Sequence, residues 1–262
     1  MSPHAATPLR VLKFGGRAQG APELPALLAA AAAHAPLIIV HGGGEEVSAM
    51  QRTMGLEPQF VGGRRVTSEA DLAVVRMLLS GTVNKRIVAQ LVTAGARAVG
   101  ISGEDAALLT ARVVDPTFGR VGRDVTAHPQ LLRDLLHAGW LPVVSPVARD
   151  RESDTGAGLN VNGDDAATAI AVALGAQELL FVADVDGVLE NGTRIPRLDP
   201  QRIQLLAARG LVHGGMLAKL EAAVAALEAG VGAVRIGTLD AISDPTAGTM
   251  IVPAVHALQD HT

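Results

Sequence analysis

Two short apolar runs that end in glycines place the main constraint on this chain. The first is Val11-Leu12-Lys13-Phe14-Gly15-Gly16; the second is Leu37-Ile38-Ile39-Val40, which leads straight into His41-Gly42-Gly43-Gly44. Between them, Glu23 to Ala35 is rich in Leu and Ala, which favours a helix, and Pro36 punctuates its end. Strand, helix, strand is a βαβ unit with a nearly always right-handed crossover, so the two strands are expected to be parallel neighbours. Both glycine turns then open on one edge, outside the carboxyl ends of the strands, where open α/β sheets bind ligands.

Lys13 bears on what that ligand is. A lysine in a buried strand either snorkels from the strand end or pairs its ammonium there. The chain has three lysines, Lys13, Lys85 and Lys219, against nineteen arginines, so Lys13 is a lysine against the prevailing usage. Gly15 and Gly16 carry no Cβ, and successive bare N–H groups can form an anion-binding concavity. Lysine beside such groups suggests phosphate; a core lysine snorkelling to water is the other reading. Gly42 to Gly44 reads either as a close backbone approach to a ligand or as a flexible turn. Neither loop carries G-x-x-x-x-G-K-[ST] or G-x-G-x-x-G, which disfavours a P-loop or dinucleotide fold.

At 262 residues, 48% hydrophobic and 18% charged, the chain can bury one large core or two lobes. A net charge of −4 and 2% aromatics leave no phosphate-backbone stripe and few stacking residues, so no nucleic-acid partner is expected. There is no cysteine, hence no disulfide, thiolate nucleophile or Cys-zinc site. No signal-type opening and no apolar run of roughly 18 residues is present, so neither secretion nor a membrane span is expected. A cytoplasmic enzyme is the default.

Further along, Gly62-Gly63-Arg64-Arg65-Val66-Thr67 is followed by Ser68 and Asp71, a helix start of the [ST]-x-x-[DE] kind. The two arginines are either a solvated pair or a loop offering a guanidinium fork to a carboxylate. The helix from Leu72 to Val92 is more apolar than a surface helix needs, as in a core or a subunit interface. Ala98 to Ile101 is a strand. Val-rich pieces around Arg112 to Val114 and Gly119 to Gly122 read as a hairpin off the main sheet. A helix from Pro129 to Ala138 and a strand from Leu141 to Val147 restore the alternation. Asn160, Asn162, Asp164 and Asp165 crowd the start of a helix over Ala166 to Leu174. One can be an N-cap, but four exceed what a cap requires. A strand at Leu179 to Val182, helices over Pro200 to Arg209 and up to Ala229, a strand at Ala233 to Ile236 and an edge-pairing tail at Thr246 to Val252 complete the pattern.

Lys13-Phe14-Gly15-Gly16, Val40-His41-Gly42-Gly43-Gly44, Gly63-Arg64-Arg65-Val66-Thr67, Gly81-Thr82-Val83-Asn84-Lys85, Asn160-Val161-Asn162-Gly163-Asp164, Ala183-Asp184-Val185-Asp186-Gly187, Gly214-Gly215-Met216-Leu217-Ala218-Lys219 and Gly248-Thr249-Met250-Ile251 stand in the order found in the amino-acid kinase family. Over residues 10 to 252 the chain resembles that family, and within it the branch acting on N-acetyl-L-glutamate.

The resemblance implies an α/β fold: a three-layer αβα sandwich with an open, mainly parallel sheet of about eight strands. It implies a single domain over 1–262, with about 9–174 forming a substrate-binding and dimerisation lobe and about 175–262 a nucleotide-binding lobe. The implied reaction is phosphorylation of the N-acetyl-L-glutamate γ-carboxylate by ATP, the second step of arginine biosynthesis, with Mg²⁺ carried by the ATP phosphates and few protein ligands. Lys13 and Lys219 are implied to stabilise the transferring group, with Asp164 holding both. Arg65, Asn160, Gly43 and Gly44 are implied on the substrate, and Gly15, Gly16, Asp184 and Met216 on the nucleotide. His41 and His213 are read as packing or hydrogen-bonding residues, and Lys85 as structural. Arg17 departs from the small residue usual after the glycine pair.

Two alternatives stand beside this: a kinase for aminoadipate or glutamate linked to a carrier protein, and a non-catalytic sensor with the same fold. A homodimer through the Leu72 to Val92 helix is expected. Arginine-sensitive relatives form hexamers through an extra N-terminal helix, and Met1 to Pro8 is too short for one, so insensitivity to arginine is expected.

Overall fold

The computed structural model of the protein describes residues 8–61 and 64–254. Met1 to Thr7, on which the arginine argument rests, and Gly62 and Gly63 lie outside these residues. In chain order the first half runs β1 (Arg10–Phe14), α1 (Leu24–His34), β2 (Leu37–His41), α2 (Gly44–Thr53), the short pair β3 (Phe60–Val61) and β4 (Arg64–Arg65), α3 (Glu69–Val75), α4 (Asn84–Thr93) and β5 (Ala98–Ser102). Then come β6 (Leu109–Val113), β7 (Gly122–Ala127), α5 (Gln130–His137), β8 (Leu141–Ser145), β9 (Val147–Asp150), β10 (Gly158–Asn160) and α6 (Gly163–Leu174). The remainder is β11 (Glu178–Val182), the hairpin β12 (Leu189–Glu190) and β13 (Thr193–Arg194), β14 (Arg197–Leu198), α7 (Pro200–Ala208), α8 (Gly214–Glu228), β15 (Val234–Gly237) and β16 (Thr249–Ile251).

The main sheet has eight strands in the order β14-β16-β15-β11-β1-β2-β8-β5. Its pairs are parallel except β15 with β16. β1 and β2 are adjacent and parallel, with Lys13 opposite Val40 and Phe14 opposite His41, as the βαβ reading requires. From β1 the chain moves outward to β2, skips to the edge at β5, comes back to fill the gap with β8, and then crosses to β11 on the other flank. The point where winding reverses, between β1 and β11, is the place such sheets leave a crevice.

Strand alternation assigns the two faces. Val11, Ile38 and Val40 pack with α6 and α8 residues such as Ile170 and Ala223, while Leu12, Phe14 and Ile39 pack against Leu28, Ile87 and Leu91 of α1 and α4. Lys13 therefore projects on the α6–α8 face and His41 on the α1–α4 face.

Three sequence expectations need correction, and a fourth gains detail. Leu141 to Val147 is two strands: β8 stays in the main sheet, and β9 joins a four-stranded sheet, β10-β9-β6-β7, that stands apart. The hairpin expected there is present, but its second strand begins at Gly122, since Val121 makes only an isolated bridge to Asn160. The tail strand β16 is not at the edge, because β14 pairs outside it. The helix expected from Leu72 to Val92 contains a π-helical stretch, Arg76–Val83, and most of its apolar residues are absorbed within the chain: Leu72, Val75, Leu78, Leu79, Ile87 and Leu91 are buried, whereas Met77 and Val92 are about half exposed. At its start Ser68 and Asp71 do form the reciprocal capping box.

Candidate active site

Three charged residues from three elements meet at the switch point. Asp164, in the first turn of α6, sets its Oδ1 2.8 Å from the Lys13 Nζ of β1, and its Oδ2 accepts a 2.7 Å hydrogen bond from the Lys219 Nζ of α8. The side chains are largely shielded, at 13%, 8% and 18% exposure for Lys13, Asp164 and Lys219. Burial alone would push the Asp164 carboxyl up, but the two ammonium groups and their hydrogen bonds outweigh it, and the carboxyl is held below its ordinary value. Two positive charges on one negative leave the cluster with a surplus positive charge. The Lys219 pKa is lowered, first by burial and then by the Lys13 charge, with Asp164 opposing both.

That direction has a kinetic consequence. On the role that the family resemblance implies for this cluster, the alkaline limb of kcat/KM is expected below the ordinary lysine value of about 10.4, because deprotonation of Lys219 removes positive charge from it. The limb is set by Lys219, the lysine whose value is lowered. In kcat it is expected at higher pH, since bound phosphates favour the charged form. A pH-rate series tests this, and a kcat/KM limb at or above the ordinary value counts against it.

The glycine turns frame this cluster. Gly42 N–H donates to Phe14 O at 2.9 Å, and a Cβ on Gly15 would lie 3.5 Å from Gly42 Cα and 3.7 Å from Lys13 Nζ. Gly16 has φ +57, and its missing Cβ faces Asp184, just past the end of β11. Asp184 also meets Arg17 across 3.4 Å, but the Arg17 side chain is 86% exposed, so the pair holds little. A cavity of about 430 Å³ opens here between Arg17, Asp184, Thr238 and Asp240.

On the other flank, Gly43, Gly44, Arg65, Asn160 and Gly163 line a second cavity of about 260 Å³. Arg65 is held by α2: its Nη2 donates to Gly44 O at 2.8 Å and to Ser48 Oγ at 2.7 Å, and its Nη1 donates to Gln51. The guanidinium also stacks on Phe60, 4.8 Å from the ring centre. Asn160 at the end of β10 donates to Thr67 Oγ1 at 3.1 Å, while Asn162 is the N-cap of α6, accepting from Asp164 N–H at 2.7 Å. The polar crowd before α6 is thus one cap and two cavity or cluster residues, with Asp165 also at the cavity wall.

Of the residues singled out from sequence, Lys13, Asp164 and Lys219 come together, Gly43, Gly44, Arg65 and Asn160 share a cavity, and Gly15, Gly16 and Asp184 adjoin. Met216 is set apart: it packs against the core in the first turn of α8 and is not on the Asp184 cavity wall. Sequence reading missed Ser48 and Gln51, which hold Arg65; with Gly44 they recur at helical spacing along α2, a signal that was available. It also missed Arg123 of β7, a second guanidinium on the wall of the Arg65 cavity.

Residues 8–238 match the model of the Amino acid kinase family. The chain belongs to the amino acid kinase family. Among curated members, the Acetylglutamate kinase of Chloroflexus aurantiacus is 42% identical over 91% of this chain and 95% of its own length. That of Roseiflexus castenholzii is 42% identical over 95% and 96%. Among solved structures, smu.665 from Streptococcus mutans UA159 superposes with a TM-score of 0.81 at 30% identity, covering 93% of this chain and 98% of its own. As a member of this family the chain is a kinase.

Proposed function

We propose that this kinase transfers the γ-phosphoryl group of ATP to the γ-carboxylate of N-acetyl-L-glutamate, within amino-acid biosynthesis. The observation that carries the reading is the Lys13–Asp164–Lys219 cluster, standing between two cavities in a chain similar to acetylglutamate kinases over nearly its whole length. A glutamate-like carboxylate, pKa roughly 4.3, is already ionised at neutral pH and needs no general base. His41 and His213 accordingly have no proton to move. An oxygen of the carboxylate forms a bond to the γ-phosphorus, the bond from that phosphorus to the β–γ bridging oxygen breaks, and ADP leaves with the electron pair.

The obstacle is repulsion between anions, so catalysis rests on positioning and charge neutralisation. At about 4 Å and an effective dielectric near 20, each unit charge is worth roughly 4 kcal/mol, which makes the cluster's surplus charge matter. Lys13 and Lys219 neutralise the transferring group, and Asp164 touches neither substrate but fixes both ammonium positions. The bare N–H groups at Gly15, Gly16, Gly43 and Gly44 receive phosphoryl and carboxylate oxygens. The lobe from about 9 to 174 takes the acyl amino acid in the Arg65 and Asn160 cavity. The lobe from about 175 onward takes ATP beside Asp184, with Mg²⁺ carried on the phosphates. Met216 belongs to this lobe as part of its packing floor. The cytoplasm is the expected compartment, and Met77 offers apolar surface for a homodimer, to be tested by light scattering.

The deciding experiment incubates the protein with ATP, Mg²⁺ and each of N-acetylglutamate, glutamate, aspartate and α-aminoadipate, trapping acyl phosphate with hydroxylamine. Hydroxamate from N-acetylglutamate is expected; none from any free amino acid would transfer the reading to a carrier-bound substrate or a sensor. Within this reading, Arg65→Lys is expected to raise KM for the amino acid roughly tenfold or more and leave KM for ATP near its original value. A point charge replaces neither the fork nor its bonds to Gly44, Ser48 and Gln51. Equal rises in both constants would remove Arg65 from the substrate.

A further inference from the structure

We propose that His41, Asn84 and Lys85 form a positioning relay that aims the Gly42–Gly43 peptide, so that the Gly43 N–H meets the reacting oxygens. The proposal rests on Gly43 serving the kinase site, and it gives a task to a motif the mechanism above leaves idle.

His41 and Asn84 are completely buried on the α1–α4 face of the sheet, the face away from the lysine cluster. The Asn84 amide touches three groups. Nδ2 lies 2.9 Å from Val143 O and 3.1 Å from His41 Nε2, and Oδ1 lies 3.0 Å from Lys85 Nζ, which also donates to Gly100 O at 2.8 Å. A backbone carbonyl only accepts and an ammonium only donates, so both ends of the amide are fixed. Both amide hydrogens are then spent, one on Val143 O and one on His41 Nε2, which must present its lone pair.

Burial holds the imidazole pKa down at about 4, so the ring is neutral at physiological pH and its one proton sits on Nδ1. That Nδ1–H donates to Gly42 O at 2.8 Å. In a trans peptide the carbonyl and the following N–H point in opposite directions. A Gly42 carbonyl turned to His41 therefore sends the Gly43 N–H away from the ring, and Gly43 lines the Arg65 cavity. Among the described residues no backbone carbonyl takes that N–H.

The surroundings constrain both ends of the relay. A Cβ on Gly100 would fall 1.8 Å from Asn84 Oδ1, so the strand facing the amide must carry glycine there. The π-helical stretch Arg76–Val83 ends at the residue before Asn84 and presses Leu79 and Val83 on the loop. A Cβ on Gly43, whose φ is +152, would come 2.7 Å from Leu79 Cδ2. The loop is thus gripped by packing on one side and by the relay on the other. π-helical turns of this kind recur at functional sites.

Two substitutions separate aiming from filling. In His41→Asn the new amide nitrogen takes the place of Nδ1 and still reaches Gly42 O, while contact with Asn84 is lost. In His41→Gln the amide oxygen takes the place of Nε2 and accepts from Asn84 Nδ2, while the contact with Gly42 O is lost. The relay predicts that His41→Gln lowers kcat by about a hundredfold and His41→Asn by no more than about fivefold, with KM for ATP within about twofold in both. A structural histidine would give equal losses or the reverse order, and either result overturns the proposal. If a variant fails to fold, the ¹⁵N spectrum of His41 in the wild type decides alone: an Nδ1–H tautomer upholds the relay, an Nε2–H tautomer overturns it. A wild type that yields no hydroxamate would strike the substrate assignment, while the tautomer would still decide this one.

Discussion

Asp164→Asn is expected to abolish most of the activity and to unsettle the fold at the same time. The side chain keeps its shape but loses its charge, leaving two ammonium groups shielded from water with no anion between them. Breaking a buried ion pair from one side costs about 3–5 kcal/mol. For a domain of this size that is a fall in melting temperature of roughly 10 °C. Since the Asp164 carboxyl is held below its ordinary value, the cluster stabilises the fold above the unfolded carboxylate pKa of about 3.9, and that contribution is lost as pH falls through the lowered folded value. A second substitution makes the test specific. Adding Lys219→Met to Asp164→Asn removes one of the two stranded charges, so the double variant should melt above Asp164→Asn alone. If it melts lower, Asp164 is not acting as the counter-charge to both lysines.

Lys219→Ala is expected to lower kcat by about two to four orders of magnitude, in the range found when a charge aimed at a transferring phosphoryl group is withdrawn. Its stability should change far less than that of Asp164→Asn, because Lys13 and Asp164 remain as a one-to-one pair at 2.8 Å. KM for ATP should move little, since a group acting mainly in the transition state contributes little to ground-state binding. The contrast between the variants is the measurement: kcat and melting temperature fall together in Asp164→Asn and separate in Lys219→Ala. An unchanged kcat in Lys219→Ala would end the role assigned to that lysine. A large rise in KM with kcat intact would move it to nucleotide binding.

Much of this arrangement was legible without coordinates. Two apolar runs ending in glycines, with a helix between them, were enough for a parallel β1–β2 pair and for a site beyond their carboxyl ends, because crossover handedness and strand direction are local rules. The excess of Asn and Asp before α6 marked a site because an N-cap needs a single polar side chain, and Asn162 alone fills that role. Lys13 drew notice as a lone lysine in a buried run. The resemblance to the family, carried by eight short motifs in order, then implied roles for the remaining candidate site residues.

Sequence by itself therefore determined most of the elements, the parallel β1–β2 pair and the glycine turns beyond its carboxyl ends. It did not determine where the strand from Leu141 divides: an apolar run shows burial, but not which of two sheets each half joins. Nor did it show that the apolar helix after Ser68 is mostly absorbed by its own chain, because amphipathic excess has the same pattern whether a core or a partner covers it. The meeting of Lys13, Asp164 and Lys219, from residues as far as 206 positions apart in number, was decided by tertiary structure alone. So were the grip of Ser48 and Gln51 on Arg65 and the link from Asn84 through His41 to Gly42. Periodicity reports the face on which a side chain lies, but a hydrogen bond or an ion pair also requires distance and direction. Those are set only when α6 and α8 settle on one face of the sheet and α4 on the other.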